Sequence, residues 1–349
     1  METTSSGFVS ILSNLSPGWI CAFVAVLTLV RFATLRADSD SRQTISEYAE
    51  LGLIGVVFVW MIIRPFAVQA YFIPSPSMEP TLFGENGTGD RIAVNKLIYR
   101  YSNPKRDDVV VFIPPTTAAG LDATNVDGIP VDSSGAPINF IKRLIGLPGD
   151  TIEAQAGVIF IGGTPYDHMD IRESLRAAGR FGPDAQNLLD LQAEHHIKFL
   201  PNGVQIYGDS KLISPSEIAA LVTGNPNDIV KIIPGRIIRN GKVLDEPFTA
   251  EDPDYDLKIY NGQPLKALEP YKDGLESQYK LDGIPIDKST YDQDALSPTG
   301  KIPPGHFFMM GDNRNDSEDS TEWGPLPSDR VIGRAQLTFW PVSRAGVIR

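Results

Sequence analysis

Apolar positions gather first into two unbroken runs and then, from Phe72 onward, into short segments broken by glycine and proline. The runs are Trp19 to Val30 and Leu51 to Ile63, the second reading LGLIGVVFVWMII without a charge. Each is shorter than the roughly 20 residues that cross a bilayer. Each reaches that length by extending over neighbours such as Ser16, Pro17, Arg31 and Arg64, where basic side chains can snorkel to the headgroups. The pattern predicts a tail over 1–16, transmembrane helices over 17–35 and 49–68, and a loop over 36–48 between them. No Lys or Arg precedes Trp19, and Leu35-Arg36-Ala37-Asp38 offers no small-x-small site, which argues against a cleaved secretory leader. Arg31, Arg36 and Arg42 lie between the runs, so the positive-inside rule puts the loop in the cytoplasm and the rest of the chain outside.

Beyond the second run the pattern is mainly β. Asp108–Ile113 (DVVVFI) and Phe140–Ile145 (FIKRLI) read as strands, and two hairpins are expected at 157–167, turning on Gly162-Gly163, and 235–246, turning on Asn240-Gly241. Helical spacing recurs over Ile171–Arg180 and Ala185–His195. Ser214-Pro215-Ser216-Glu217 reads as a capping box with proline at the first helical position, closing at Gly224. Residues 250–300 are polar and rich in Asp, Pro and Gly, as long loops around short strands would be. Strands return at His306–Met310, Val331–Ala335 and Gln336–Trp340. The expected organisation is a β core over 69–164 and 301–349, interrupted by a mixed α/β insertion over 165–230 and by a hairpin with loops over 231–300.

Composition narrows the function. Of 349 residues, 42% hydrophobic and 21% charged exclude wholesale disorder. A net charge of -12 lacks the basic face that nucleic acid requires, so nucleic acid is not an expected partner. The single cysteine, Cys21, permits neither an intrachain disulfide nor a cysteine metal site. The four histidines, His168, His195, His196 and His306, sit in no G-x-S-x-G or HExxH context, and His195-His196 reads as a solvated helix end. An EF-hand started at Asp312 would put Ser317 at the glycine position and Trp323 at the bidentate glutamate. Neither a metal nor a cofactor is expected.

Three motifs carry candidate chemistry. In Ile73-Pro74-Ser75-Pro76-Ser77-Met78-Glu79-Pro80-Thr81-Leu82, three prolines forbid a regular helix and predict a stiff extended loop, which suits a nucleophile at Ser77. In Phe140-Ile141-Lys142-Arg143-Leu144, alternation puts Lys142 on the face of Phe140 and Leu144 and turns Arg143 the other way, so one of two adjacent cations is expected inward. A lysine serves as a base at neutral pH only if desolvation lowers its pKa to about 8, which takes roughly 3 kcal/mol. The third, Gly311-Asp312-Asn313-Arg314-Asn315-Asp316-Ser317-Glu318-Asp319-Ser320, is an acid-rich loop after the strand HFFMM, able to bring a hydroxyl and a carboxylate to the other two.

IPSPSMEPTL, then FIKRLIGLPGD, then IPPGHFFMMGDNRNDSEDS followed by WGPLP, together resemble the type I signal peptidases, membrane-bound serine–lysine proteases that remove signal peptides from exported proteins. The resemblance implies a signal-peptidase-type β catalytic core, anchored in the bacterial cytoplasmic membrane and facing the periplasm. It implies Ser77 as nucleophile, Lys142 as general base, and the Ser75 hydroxyl with the Ser77 N–H as oxyanion hole. Ser317 would orient the lysine amine, and Asp312 with Arg143 would form a supporting ion pair. Shallow pockets for the small residues of Ala-x-Ala-like cleavage sites would draw on Ile73, Met78, Ile141 and Leu144. The expected partners are exported preproteins and the lipid bilayer. The family usually reads GDNRDNSxDSR, whereas here Asn315-Asp316 exchanges acid and amide and Thr321 replaces an arginine, leaving Asp319 without its usual cation. A membrane-tethered binding protein with an inactive peptidase-like fold is the alternative, opposed by intact Ser77 and Lys142. Trp60, Trp323 and Tyr71-Phe72 would either dip into the outer leaflet or pack in the core.

Overall fold

The computed structural model describes residues 17–34, 40–58, 68–85, 88–116, 118, 124–126, 129–131, 137–181, 196–260, 262–268, 279–281, 284–286 and 300–349. Two helices, Pro17–Thr34 and Asp40–Phe58, come first. They lie against each other, with Gly52 facing Leu27 and an ion pair from Arg31 to Glu50 at 2.8 Å. Leu29, Phe32, Tyr48, Leu51 and Ile54 stay exposed.

Among the described residues no helix is long and apolar enough to cross a membrane. The first helix matches its expected bounds closely. The second differs: it begins at Asp40, so 40–48 is helix where a loop was expected, and its first eleven residues carry Asp40, Arg42, Glu47 and Glu50. Good helix formers such as Arg42, Gln43 and Glu47 extend it backward from the expected start at 49. Residues 59–67 of the expected span lie outside the described residues, and Val68 already belongs to a strand.

The remainder is mainly β. One eight-stranded sheet runs in the order 68–72, 91–95, 331–340, 109–112, 140–146, 306–310, 326–327, with 346–347 paired to the long strand 331–340. Its centre is buried on both faces, as a run of β-branched residues predicts. Val109 and Val111 enter one core with Ile73, Met78 and Leu82, while Val110 and Phe112 enter another with Leu144 and Met309. A seven-stranded sheet, built on 152–155, 236–239, 255–260 and 263–268, joins the first through a core containing Ile145, Ile152, Leu257, Phe308 and Met310.

Both expected hairpins form, and Asn240 and Gly241 take the positive φ angles (54° and 73°) that a tight two-residue turn requires. One expectation is corrected. Val331–Trp340 is one ten-residue strand, bulged against its neighbour, instead of two. Of the short strands expected among loops over 250–300, two pair as a hairpin of six residues each, Tyr255–Tyr260 and Gln263–Leu268, because alternate Tyr255, Leu257 and Ile259 face the core.

The region 165–230 packs around a further core, in which Ile171, Leu175, Ile197, Phe199 and Ile218 meet Ile159 and Ile161 of the preceding hairpin. Helix Pro215–Thr223 starts at Ser214 and stops at left-handed Gly224, as its sequence predicts. Helix His168–Ala177 starts earlier than expected because Asp167 and Asp170 cap it reciprocally. The expected helical stretch 185–195 lies outside the described residues. His196 is not a solvated helix end: it is buried at a strand start, 3.0 Å from Glu251.

Candidate active site

Ser77 stands in one 3₁₀ turn, Pro76–Met78, entered from extended Ser75 (φ -129°, ψ 152°). The expected extended loop is thereby corrected, since Pro76 at the first position has no N–H to lose and its fixed φ suits the turn. Buried Met78 and Leu82 pin the segment to the core below it. A Cβ on Gly84 would collide with the Ser75 backbone, so glycine there lets the chain close behind the turn. From the opposite side, Asn313 donates its N–H to the Ser77 carbonyl at 3.2 Å and its amide to the Pro76 carbonyl at 3.4 Å.

Lys142 comes from the central strand Phe140–Gly146, which lies between Val109–Phe112 and His306–Met310. That position brings the start of the loop 311–319 out beside it. Lys142 is 4% exposed and Arg143 0%, so both cations are inward and the expected single inward cation is corrected. The strand has protein on both faces, and alternation separates the two side chains without exposing either.

The Lys142 amine donates to Ser77 Oγ at 2.5 Å, and Ser75 Oγ lies 3.3 Å from the same hydroxyl. Burial pushes the amine down to about 8, against the pull of the Asp319, Glu318, Asp312 and Asp316 carboxylates, which favour the ammonium. On its other side the amine sits 5.7 Å from the centre of the Phe140 ring.

Arg143 forms a two-point pair with Asp312, Nε to Oδ1 at 2.7 Å and Nη2 to Oδ2 at 2.6 Å. It also donates to the carbonyls of Asp107 and Arg349, each at 2.9 Å, and lies 3.9 Å over the Phe248 ring. Thr81 donates its hydroxyl to Asp312. All three motifs therefore meet at this pair: Thr81 from the first, Arg143 from the second and Asp312 from the third.

Other expected roles fare differently. Ser317 makes no hydrogen bond to Lys142. Its Oγ is buried without a partner, close to Gly311 and the Ser77 carbonyl, where only a glycine at 311 leaves it room. Met78, Leu144 and Ile73 are buried in packed cores and offer a substrate no surface. Of the four expected pocket residues, only Ile141 remains partly exposed. Asp319 is satisfied without an arginine at 321: its carboxylate accepts the N–H of Gly311 at 2.8 Å and of Thr321 at 2.9 Å, capping the short helix Ser320–Trp323. Trp323 packs on Phe112, ring centres 5.9 Å apart, which assigns it to the core; Trp60 lies outside the described residues.

Sequence reasoning missed two supports. Buried Arg314 pairs with Glu246 at 2.8 Å, bracing the loop against the 235–246 hairpin. Asn315 ties the loop to residues 251–254. Arg314 lay in a recognised motif, but its partner is distant in sequence and carries no pattern of its own.

A sequence model described as signal peptidase, peptidase S26, matches residues 45–211 and 220–340. The signal peptidase I of Buchnera aphidicola is 30% identical over 294 residues, covering 80% of this chain and 70% of that protein. The signal peptidase I of Mycobacterium tuberculosis is 28% identical over 320 residues (88% and 76%), and the probable signal peptidase I-2 of Synechocystis is 25% identical over 322 residues (92% and 84%). With the match running through most of the chain, and through the strand and loop that meet at Ser77, the chain belongs to the signal peptidase family, peptidase S26.

Proposed function

We propose that the chain cleaves signal peptides from exported preproteins by serine–lysine acyl transfer. The observation that carries this reading is the 2.5 Å contact between a buried amine and the Ser77 hydroxyl. Neutral Lys142 takes the Ser77 proton as Oγ attacks the scissile carbonyl, and the ammonium then protonates the departing amine. The neutral amine next takes a proton from water, whose oxygen attacks the acyl ester, and the ammonium returns that proton to Ser77 Oγ as the acyl group leaves. Ser75 Oγ, beside the nucleophile, and the Ser77 N–H would hold the oxyanion. Ser317 would orient the amine once substrate has closed the site, its unpartnered hydroxyl being available for that bond. Arg143 with Asp312 supports the strand and loop that carry these groups. The substrate presents an Ala-x-Ala-like site in extended form, with Ile141 in the wall that receives it. The two N-terminal helices, which expose Leu29, Phe32, Leu51 and Ile54, anchor the chain to the bacterial cytoplasmic membrane with the β body on its outer face.

The test is cleavage of an Ala-x-Ala preprotein by purified protein in detergent. Ser77→Ala and Lys142→Arg should each lose about three orders of magnitude or more in kcat, the second despite keeping its charge, because a guanidinium is not a base at working pH. Substantial turnover by Lys142→Arg would refute the assignment.

A further inference from the structure

The loop 311–319 is fastened to a second acidic segment, Glu251–Asp254, for which the proposed chemistry has no use. Asn315 Oδ1 accepts the N–H of Asp254 at 3.0 Å, and its Nδ2 donates to the Asp252 carbonyl at 3.1 Å. The Asn315 N–H donates to the Glu251 carboxylate at 3.3 Å. Both ends of the amide are thus used in a fixed sense, since a backbone N–H must meet oxygen and a carbonyl must meet the NH2 group. An aspartate at 315 would oppose an oxygen to the Asp252 carbonyl and add a charge beside Glu251, Asp252 and Asp254. The exchanged order Asn315-Asp316 is what this neighbour requires.

The acidic segment is held in turn from the region 165–230. Glu251 lies 3.0 Å from His196 and 3.1 Å from Arg172. Asp252 lies 2.8 Å from His168 Nε2 and accepts the Phe199 N–H at 2.9 Å. All of these side chains are buried. Contacts therefore run unbroken from helix His168–Ala177 and strand Ile197–Leu200, through Glu251 and Asp252, to Asn315. Asn315 shares its loop with Asp319, Glu318, Asp312 and Asp316, the charged groups acting on the Lys142 amine. From its own strand that amine faces the Phe140 ring, and from the Pro76–Met78 turn the Ser77 hydroxyl.

We infer that Asn315 is a positioning residue that clamps the catalytic loop to the Glu251–Asp254 segment, so that the 165–230 region governs where the loop carboxylates stand relative to the Lys142 amine. The inference rests on Lys142 being the base. Breaking the clamp lets the carboxylates withdraw, the ammonium loses their support, and the proton leaves at lower pH.

The test measures kcat and KM from about pH 6 to about pH 10 for the full-length protein and for Asn315→Leu, Asn315→Ala and Glu251→Gln, none of which adds a charge to the loop, in detergent with a preprotein substrate. The acidic limb of kcat should move down by roughly half a pH unit or more. Well below the limb, near pH 6, the fraction of plateau kcat retained should accordingly rise about threefold, with KM within about twofold. Combining Asn315→Ala with Glu251→Gln should add nothing to the larger single shift, because both act through one clamp. A limb unmoved in the Asn315 and Glu251 variants overturns the inference even where thermal stability drops, since a merely structural tie would lower stability alone. Should the Asn315 variants not fold, Glu251→Gln, isosteric and outside the loop, decides by the same criterion. Retained turnover in Lys142→Arg would instead remove the base, which separates the two failures.

Discussion

Lys142 shows what a buried charge costs and what it makes possible. Lowering its pKa from 10.5 to about 8 corresponds to about 3 kcal/mol of differential desolvation. Below pH 8 the amine is charged in both folded and unfolded chains, and the folded state bears the whole penalty. Between about 8 and 10.5 the unfolded chain holds the proton more tightly, so stability rises with pH across that window. Lys142→Met should therefore abolish cleavage yet stabilise the fold by about 1–3 kcal/mol at neutral pH, an advantage that fades as pH approaches 10.5. Denaturant midpoints of both proteins at three pH values would measure it; a variant less stable than wild type at pH 7 would contradict the burial argument. Arg143, next in the chain, meets burial in the opposite way, by pairing with Asp312 and two carbonyls.

At the scale of elements, the region 165–230 is more than a loop excursion. Its sheet and two helices share a core, and its polar side closes on Glu251 and Asp252. His168 stacks on Phe199, ring centres 3.9 Å apart, while holding Asp252. Burial alone would depress this imidazole, but the Asp252 carboxylate beside it, with Asp254 and Glu251, raises it above the ordinary histidine value. A raised folded pKa contributes stability that is complete below the unfolded value of about 6.5 and is lost as pH rises through the folded one. His168→Phe keeps the stacking and deletes the pair, so it should cost about 3–5 kcal/mol near pH 6 and less in alkaline solution. Equal losses at both pH values would show that the pair is neutral throughout.

The whole molecule combines a helix pair with exposed apolar sides and a β body that carries the site. Leu29 and Leu51 are 69% and 66% exposed, more than side chains packed against protein would be. If the helices hold the chain to lipid, full-length protein should co-float with anionic vesicles, and Leu29→Asp with Leu51→Asp should reduce the floating fraction by about tenfold or more. Cleavage of a short soluble peptide should remain within about twofold of wild type, because neither residue touches the site. Undiminished flotation would move the lipid contact to the β body.

Local chemistry was legible in the amino-acid sequence: the proline-framed Ser77, the Lys142 strand, the Asn240-Gly241 turn and the Ser214 cap all follow from neighbours within a few residues. Alternation along one strand also marked Lys142 as inward. It could not show that Arg143 is buried as well, because that depends on protein covering the second face of the sheet. The meeting of Ser77 with Lys142 spans 65 residues and that of Arg143 with Asp312 spans 169, distances over which no periodicity carries information. The same holds for the partnerless hydroxyl of Ser317, the packed interiors around Met78 and Leu144, and the grip of Asn315 on Glu251–Asp254. Those are products of strand order and packing: tertiary structure decides which side chains share a site, and how much water is left around them.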